Sequence, residues 1–180
     1  GDAPDPGQVT ARLEAGLAAG RPPLVVLRAP ARPREDYLAL AAATLPVCEA
    51  GGAELIVHGP PDAFYETPGA RGLHLPWREA GRLTDRPVPD AVWLGVSCHN
   101  AEEIRKAEAI GADYITLGPV QPTESHPGAP AMGWETFADL TSQAKVPVFA
   151  LGGLAFGDIG EARARGGQGI AGIGFWWPQI

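Results

Sequence analysis

Sulfur, positive charge and long greasy stretches are all scarce in this chain of 180 residues, and each scarcity excludes something. It has two cysteines, Cys48 and Cys98, with no CxxC pair. No disulfide framework follows from them, and reduced thiols in a cytoplasmic protein are the expectation. The 14 basic residues are scattered and outnumbered by 21 acidic ones. A net charge of −7 so distributed gives nucleic-acid binding no electrostatic support. No apolar run approaches the roughly 20 residues that span a bilayer, and no signal peptide is visible, so no membrane partner is expected.

Glycine (24) and proline (19) are plentiful, and they fall between apolar runs rather than in a block, which predicts many short connections. With 45 % hydrophobic residues the chain is long enough to bury a real core, and residues 1–180 read as one domain.

Short β-rich runs alternate with helical patterns from end to end. The runs are Leu24–Leu27, Glu54–His58, Gly72–Leu75, Trp93–Ser97, Tyr114–Leu117, Val146–Leu151 and Gln168–Ile173. Several are apolar on consecutive residues, the mark of parallel strands covered on both faces. Helical period appears over 8–19 (Val9, Leu13, Leu17), 34–50 (Tyr37, Leu38, Ala41, Leu45), 101–110, 134–144 (Trp134, Phe137, Leu140) and 158–165. Asn100 with Glu103 forms a capping-box-like start, with Ile104 and Ala107 inward. One-turn helices are expected after the runs at 54–58 and 72–75. The alternation predicts an α/β fold, a (β/α)8-type barrel lacking its first strand and last helix, with an open doubly wound sheet as the alternative.

In both architectures ligands bind at the carboxyl ends of the strands. All four histidines (His58, His74, His99 and His126) map there, and Arg28 ends the first run. Near the chain's end stand Gly152-Gly153 and Gly172-Ile173-Gly174, where glycine lets backbone N–H groups approach an anion. Ahead of both in the chain, the loop Gly118–Gly128 carries Thr123, Ser125 and His126, which read as phosphate-facing hydroxyls and an acid–base group. A competing expectation makes His58, His74 and His99 three ligands of a zinc ion. The aromatic end, Phe175-Trp176-Trp177-Pro178, reads as a local plug or a surface for self-association, that is, a homo-oligomer.

The strings GVSCHNAEEIRKAEAIGADYITLGPVQPTESHPG (95–128), GWETF (133–137), VPVFALGGL (146–154) and GQGIAGI (167–173) resemble the thiamin-phosphate synthase and thiazole tautomerase superfamily in order and spacing. The chain is most similar to the synthase-like domain fused behind MutT-type Nudix hydrolases. That resemblance implies an upstream Nudix domain as partner in the native polypeptide. It also implies a strand ahead of the helix at 8–19.

The departures from the pattern are informative. The resemblance implies two aspartates holding Mg²⁺ for pyrophosphate. Their places read His58-Gly59 and, after His74, Leu75-Pro76-Trp77, where Glu79 is the nearest acid, so no metal or other cofactor is expected. The family's lysine in the hydroxyl-rich loop is His126. Of two basic residues at the pyrimidine end, Arg28 remains and the second is Pro30. The tautomerase's acid–base histidine falls at Pro119. The phosphate half is retained: Gly152, Gly153, Ile173 and Gly174 match the backbone phosphate site, and Thr123 a substrate-side hydroxyl. The expectation is a thiamin-related domain that binds a small phosphorylated molecule, with Arg28, His58, His74, Thr123 and Ser125 on the ligand and His99 and His126 as catalytic groups. The alternatives are a residual synthase and a non-catalytic regulator of a Nudix domain.

Overall fold

Seven parallel strands alternate with helices through the residues that the computed structural model describes, which are 5–20, 22–123, 128 and 130–172. They fall in two compact units. The first runs to His74 and adds Asp90–Trp93; the second comprises Leu75–Pro89 and the described residues from 94 to 172.

The first unit opens with α1 (Pro6–Gly20), whose Val9, Leu13 and Leu17 are buried as their spacing predicts. Next come β1 (Leu24–Leu27), α2 (Arg34–Ala50), β2 (Glu54–His58), the one-turn α3 (Asp62–Tyr65) and β3 (Gly72–Leu75). β1 pairs with β2 and β2 with β3, all parallel. The inward face of α2 differs from the expected stripe. Tyr37, Leu40, Ala41, Thr44 and Cys48 are buried, while Leu38 and Leu45 are only half-buried. Thr44 escapes a search for apolar spacing, yet its hydroxyl donates to the Leu40 carbonyl at 3.0 Å. A hydroxyl satisfied within its own helix can be buried at little cost.

The second unit holds the one-turn α4 (Trp77–Ala80), β4 (Trp93–Cys98, from Leu94), α5 (Ala101–Ala109), β5 (Tyr114–Leu117), α6 (Gly133–Thr141), β6 (Val148–Leu151), α7 (Ile159–Ala164) and β7 (Gly169–Ala171). β4, β5, β6 and β7 pair in that order, all parallel. β6 starts two residues later than expected, because Pro147 has no N–H to enter the ladder, although its carbonyl accepts from Ile115 at 3.0 Å.

Alternation divides this part of the sheet. Val96, Cys98, Ile115, Leu117, Val148 and Ala150 lie on one face, each at most 3 % exposed. Ser97, Thr116 and Phe149 are cross-strand partners on the other. At the amino ends of β4 and β5, Arg86 Nη2 meets Asp113 Oδ2 at 2.8 Å, and the same oxygen accepts from the Leu94 amide at 2.7 Å. That lock sets the register from which the carboxyl ends project. No helix among the described residues is long and apolar enough to cross a membrane.

Candidate functional site

In the first unit, Tyr37 fixes the carboxyl end of β2. Its hydroxyl donates to the Leu27 carbonyl at 3.1 Å and accepts from the His58 amide at 3.2 Å. Burial raises the phenol's pKa, which keeps it a donor. His58 and His74 are cross-strand partners, and their rings stack at 5.8 Å with an interplanar angle of 17°. His74 lies inside β3 and is 3 % exposed. Burial, and second its neighbour His58, push its pKa down to about 3. It is a neutral, strand-embedded imidazole. Arg28 follows β1 and is exposed.

In the second unit the candidate residues gather at the carboxyl ends of β4, β5 and β6. His99 comes directly after β4. Asn100 caps α5, its side chain accepting from the Glu103 amide at 3.0 Å. In a reciprocal capping box the Glu103 carboxylate reaches the cap residue's own amide. Here Oε2 takes the His99 amide (2.8 Å) and the His99 ring Nδ1 (2.7 Å), and Oε1 takes Asn100 Nδ2 (3.0 Å).

The loop after β5 is pinned on both sides. Gly118 donates to the Cys98 carbonyl (3.2 Å), Val120 to Leu151 (2.9 Å) and Gln121 to Gly152 (3.0 Å). Its return is tied by Met132 to Pro119 (2.9 Å) and Gly133 to Val120 (3.0 Å). Half-buried Thr123 follows Pro122, whose carbonyl lies against Gly153.

Both of those glycines have positive φ, +99° and +70°. A Cβ on Gly152 would lie 2.7 Å from Pro119 Cβ, and one on Gly153 would lie 2.8 Å from Gln121 Cβ and strike the Pro122 carbonyl. So glycine is required here by loop-on-loop packing, a demand independent of any ligand. The Gly152, Gly153 and Leu154 amides donate to no acceptor among the described residues. The row ends at Ala155, whose N–H is taken by Asp158 Oδ2 at 2.7 Å. Consecutive N–H groups without an acceptor among the described residues are a donor set that suits phosphate oxygens.

Among the predicted site residues, then, Thr123, Gly152 and Gly153 come together, with His99 one residue beyond a strand end tied to the same loop. His58 and His74 form their own pair. Ser125, His126, Ile173, Gly174 and the aromatic end lie outside the described residues. The zinc expectation is overturned for the described residues. No three His, Cys, Asp or Glu side chains among them converge on one point, and His74 spends its ring on a stack inside a strand. Nor do the residues suit Mg²⁺, which takes hard oxygen donors. Glu79, the nearest acid, lies 3.5 Å from Arg78 and 3.9 Å from Arg82.

Three residues here escape a reading of motifs. Ser97 and Thr116 place hydroxyls 3.4 Å apart on the less apolar face of β4 and β5. Each is the polar member of an otherwise apolar strand, and that was the available signal. Glu103 could have been paired with His99 from their i, i+4 spacing.

Comparison with known proteins follows the same outline. The model of the family described as thiamine monophosphate synthase matches residues 2–174. A putative thiamine-phosphate synthase of Geobacter sulfurreducens is 37 % identical over 159 residues, 87 % of this chain and 74 % of that protein. The putative thiamine-phosphate synthase 2 of Aquifex aeolicus is 38 % identical over 104 residues, 58 % of this chain and 56 % of that protein. Among solved structures, a thiamine phosphate pyrophosphorylase from Pyrococcus furiosus superposes with a TM-score of 0.74. It is 22 % identical, with 91 % of this chain and 78 % of that one covered, which speaks for the fold alone.

Proposed function

Because this chain belongs to the thiamine monophosphate synthase family, we propose that it binds a small phosphorylated ligand of the thiazole-phosphate type. The phosphate sits on the Gly152, Gly153 and Leu154 amides, and Thr123 supplies a hydroxyl from the adjoining loop. One observation carries the reading: those three successive amides have no acceptor among the described residues, although packing fixes their turn. Ser125, His126, Ile173 and Gly174 belong to the same proposal as further ligand groups; Arg28, His58 and His74, in the first unit, are proposed as ligand groups of their own. The same proposal includes an incomplete β/α barrel as the frame.

Isothermal titration with thiazole phosphate and with a thiazole carboxylate phosphate tests it, with inorganic phosphate as reference. Binding of the thiazole phosphates well above that of phosphate alone is expected. No heat at millimolar ligand overturns the reading. Mg²⁺ and EDTA are expected to leave the affinity unchanged, since the donor set does not suit the ion.

The second reading is the synthase itself, favoured by the family and by the names of the relatives. Thiamin phosphate and pyrophosphate would then form from a pyrimidine pyrophosphate and thiazole phosphate. Incubation of the two substrates, with and without Mg²⁺, decides between them: product selects the synthase, its absence with thiazole phosphate bound selects the binding or isomerase reading. An upstream Nudix partner is a separate proposal, tested by comparing Nudix turnover of the joined polypeptide with and without this segment.

A further inference from the structure

We propose that Glu103 is a positioning residue that fixes the His99 ring with its proton on Nδ1, leaving Nε2 to exchange a proton with the ligand held at the Gly152–Leu154 turn. This rests on the ligand reading above and assigns it a chemistry.

A capping role alone does not account for the contacts. The cap of α5 is complete with the single bond from the Glu103 amide to Asn100 Oδ1, at 3.0 Å. The carboxylate then bypasses the cap residue's amide and closes on His99 twice, on the backbone N–H at 2.8 Å and on ring Nδ1 at 2.7 Å. Its second oxygen is held by Asn100 Nδ2 at 3.0 Å. The carboxylate is buried, with only 11 % of its side chain exposed, whereas the ring it holds is 51 % exposed. Packing does not need that ring immobile, and an exposed imidazole left to itself rotates and exchanges tautomers freely. A carboxylate oxygen only accepts, so the proton on the neutral ring resides on Nδ1 and the lone pair on Nε2 points away. The first turn of a helix is a favourable place for the negative charge.

A nucleophile or base whose partner is oriented by a third, buried group is the recurring arrangement for proton transfer. His99 is also tied to the ligand turn through the backbone. Its predecessor Cys98 accepts from Gly118, the first residue of the loop that packs on Gly152. The step balances without any co-reactant. Nε2 takes a proton from an acidic carbon of the thiazole ligand as that C–H bond breaks, and the imidazolium returns the proton to another carbon of the same ligand. No electrons are gained or lost.

The test reads the ring first, in ligand-free protein. Long-range ¹H–¹⁵N correlation of labelled histidines is expected to show His99 as the Nδ1–H tautomer in the native protein, with the Nε2–H form becoming the majority in Glu103→Ala. An unchanged tautomer overturns the proposal. The second readout is deuterium uptake from solvent into bound thiazole carboxylate phosphate. Glu103→Gln, which keeps the shape and removes the charge, is expected to slow it at least tenfold with ligand affinity within twofold of native. Arg86→Lys, at the amino ends of β4 and β5, serves as the control for lost stability. It is expected to lower the melting temperature but leave the tautomer and the exchange rate within twofold. If it matches Glu103→Gln in exchange, the slowing is a loss of stability alone and the proposal falls. Native protein that binds the ligand without exchanging deuterium overturns the proposal while sparing the binding reading. Native protein that does not bind sinks the binding reading and with it the ligand chemistry, and the ring measurement alone then decides whether Glu103 holds His99.

Discussion

Replacing Gly152 by alanine separates two demands that the same residue meets. The backbone sits at φ +99°, and an L-residue there is strained by roughly 1–2 kcal/mol. The new methyl would lie 2.7 Å from Pro119 Cβ and 2.8 Å from Pro119 Cα. Pro119 cannot rotate away, because Val120 and Gln121 are bonded to Leu151 and Gly152 on the same strand end. Forced overpacking of that kind costs roughly 1–3 kcal/mol. Together the two give a loss of about 2–5 kcal/mol, read from the shift of the urea midpoint at constant m-value. Gly160 is the internal control. It lies in α7, its added Cβ meets nothing within 4 Å, and Gly160→Ala should stabilise by about 0.5–1 kcal/mol through helix propensity and a less floppy unfolded chain. Opposite signs for two Gly→Ala changes in the same unit are therefore expected. A loss under about 1 kcal/mol at Gly152 would mean that the loops are not packed as described, and the anion turn would lose its rigid support. In conditions where Gly152→Ala is still fully folded, its affinity for thiazole phosphate should also drop, because the amide row is displaced.

Other expectations concern groups buried away from that turn. His74 is held down to about 3 while an unfolded histidine titrates near 6.5, so between those values the unfolded chain carries the extra proton. Its contribution is complete above about pH 6.5 and shrinks as the pH falls, by up to ~1.4 kcal/mol per pH unit. Between pH 7.5 and 5 the native protein should lose up to about 2 kcal/mol more than His74→Leu does, and parallel urea midpoints for the two would refute this. Arg86→Lys should cost about 2–3 kcal/mol, since an ammonium cannot serve both Asp113 and the Gly111 carbonyl as the fork does. Equal midpoints for native and variant protein would show the lock to be idle. Burial pushes the Cys48 and Cys98 thiols up to about 11 and about 12, with Glu49 and Glu103 respectively adding to it. Neither should react with a thiol reagent at pH 8 until the protein is unfolded in urea.

Element type was legible where the local signal and the tertiary demand coincide. Glu54–His58 and Gly72–Leu75 read as buried parallel strands and are so, because short, mainly apolar runs followed by glycine or proline have little choice. The short helices after β2 and β3 were also legible, as segments too brief to carry a full amphipathic stripe. The α2 face was misjudged by one position because Thr44 hides a satisfied hydroxyl in a buried stripe, and hydropathy treats it as polar. Strand ends were less legible. Nothing local distinguishes Val146 from Val148 except that Pro147 withholds a donor from the ladder.

The candidate site was harder to read, for a reason that Gly152 and Gly153 make concrete. Glycine in the sequence signals only that a side chain is unwelcome. It does not say whether a neighbouring backbone, a proline ring or an anion excludes it. Here Pro119 and the Pro122 carbonyl exclude it, so the glycines by themselves are no evidence of a ligand. What points to one is the accounting of donors: Gly152, Gly153 and Leu154 have no acceptor among the described residues, whereas the next amide, Ala155, is answered by Asp158. Such accounting needs every acceptor placed in space, and no pattern of residue types contains it. The same logic separates His99 from His74. Both stand in or next to short apolar runs and look alike in a motif. Yet one is a half-exposed ring held by a buried carboxylate, and the other is sealed inside a strand where its charged form is excluded. Of the two, only His99 has a ring open to solvent at a strand end. A reading that treats all four histidines as equivalent ligand groups overlooks that difference.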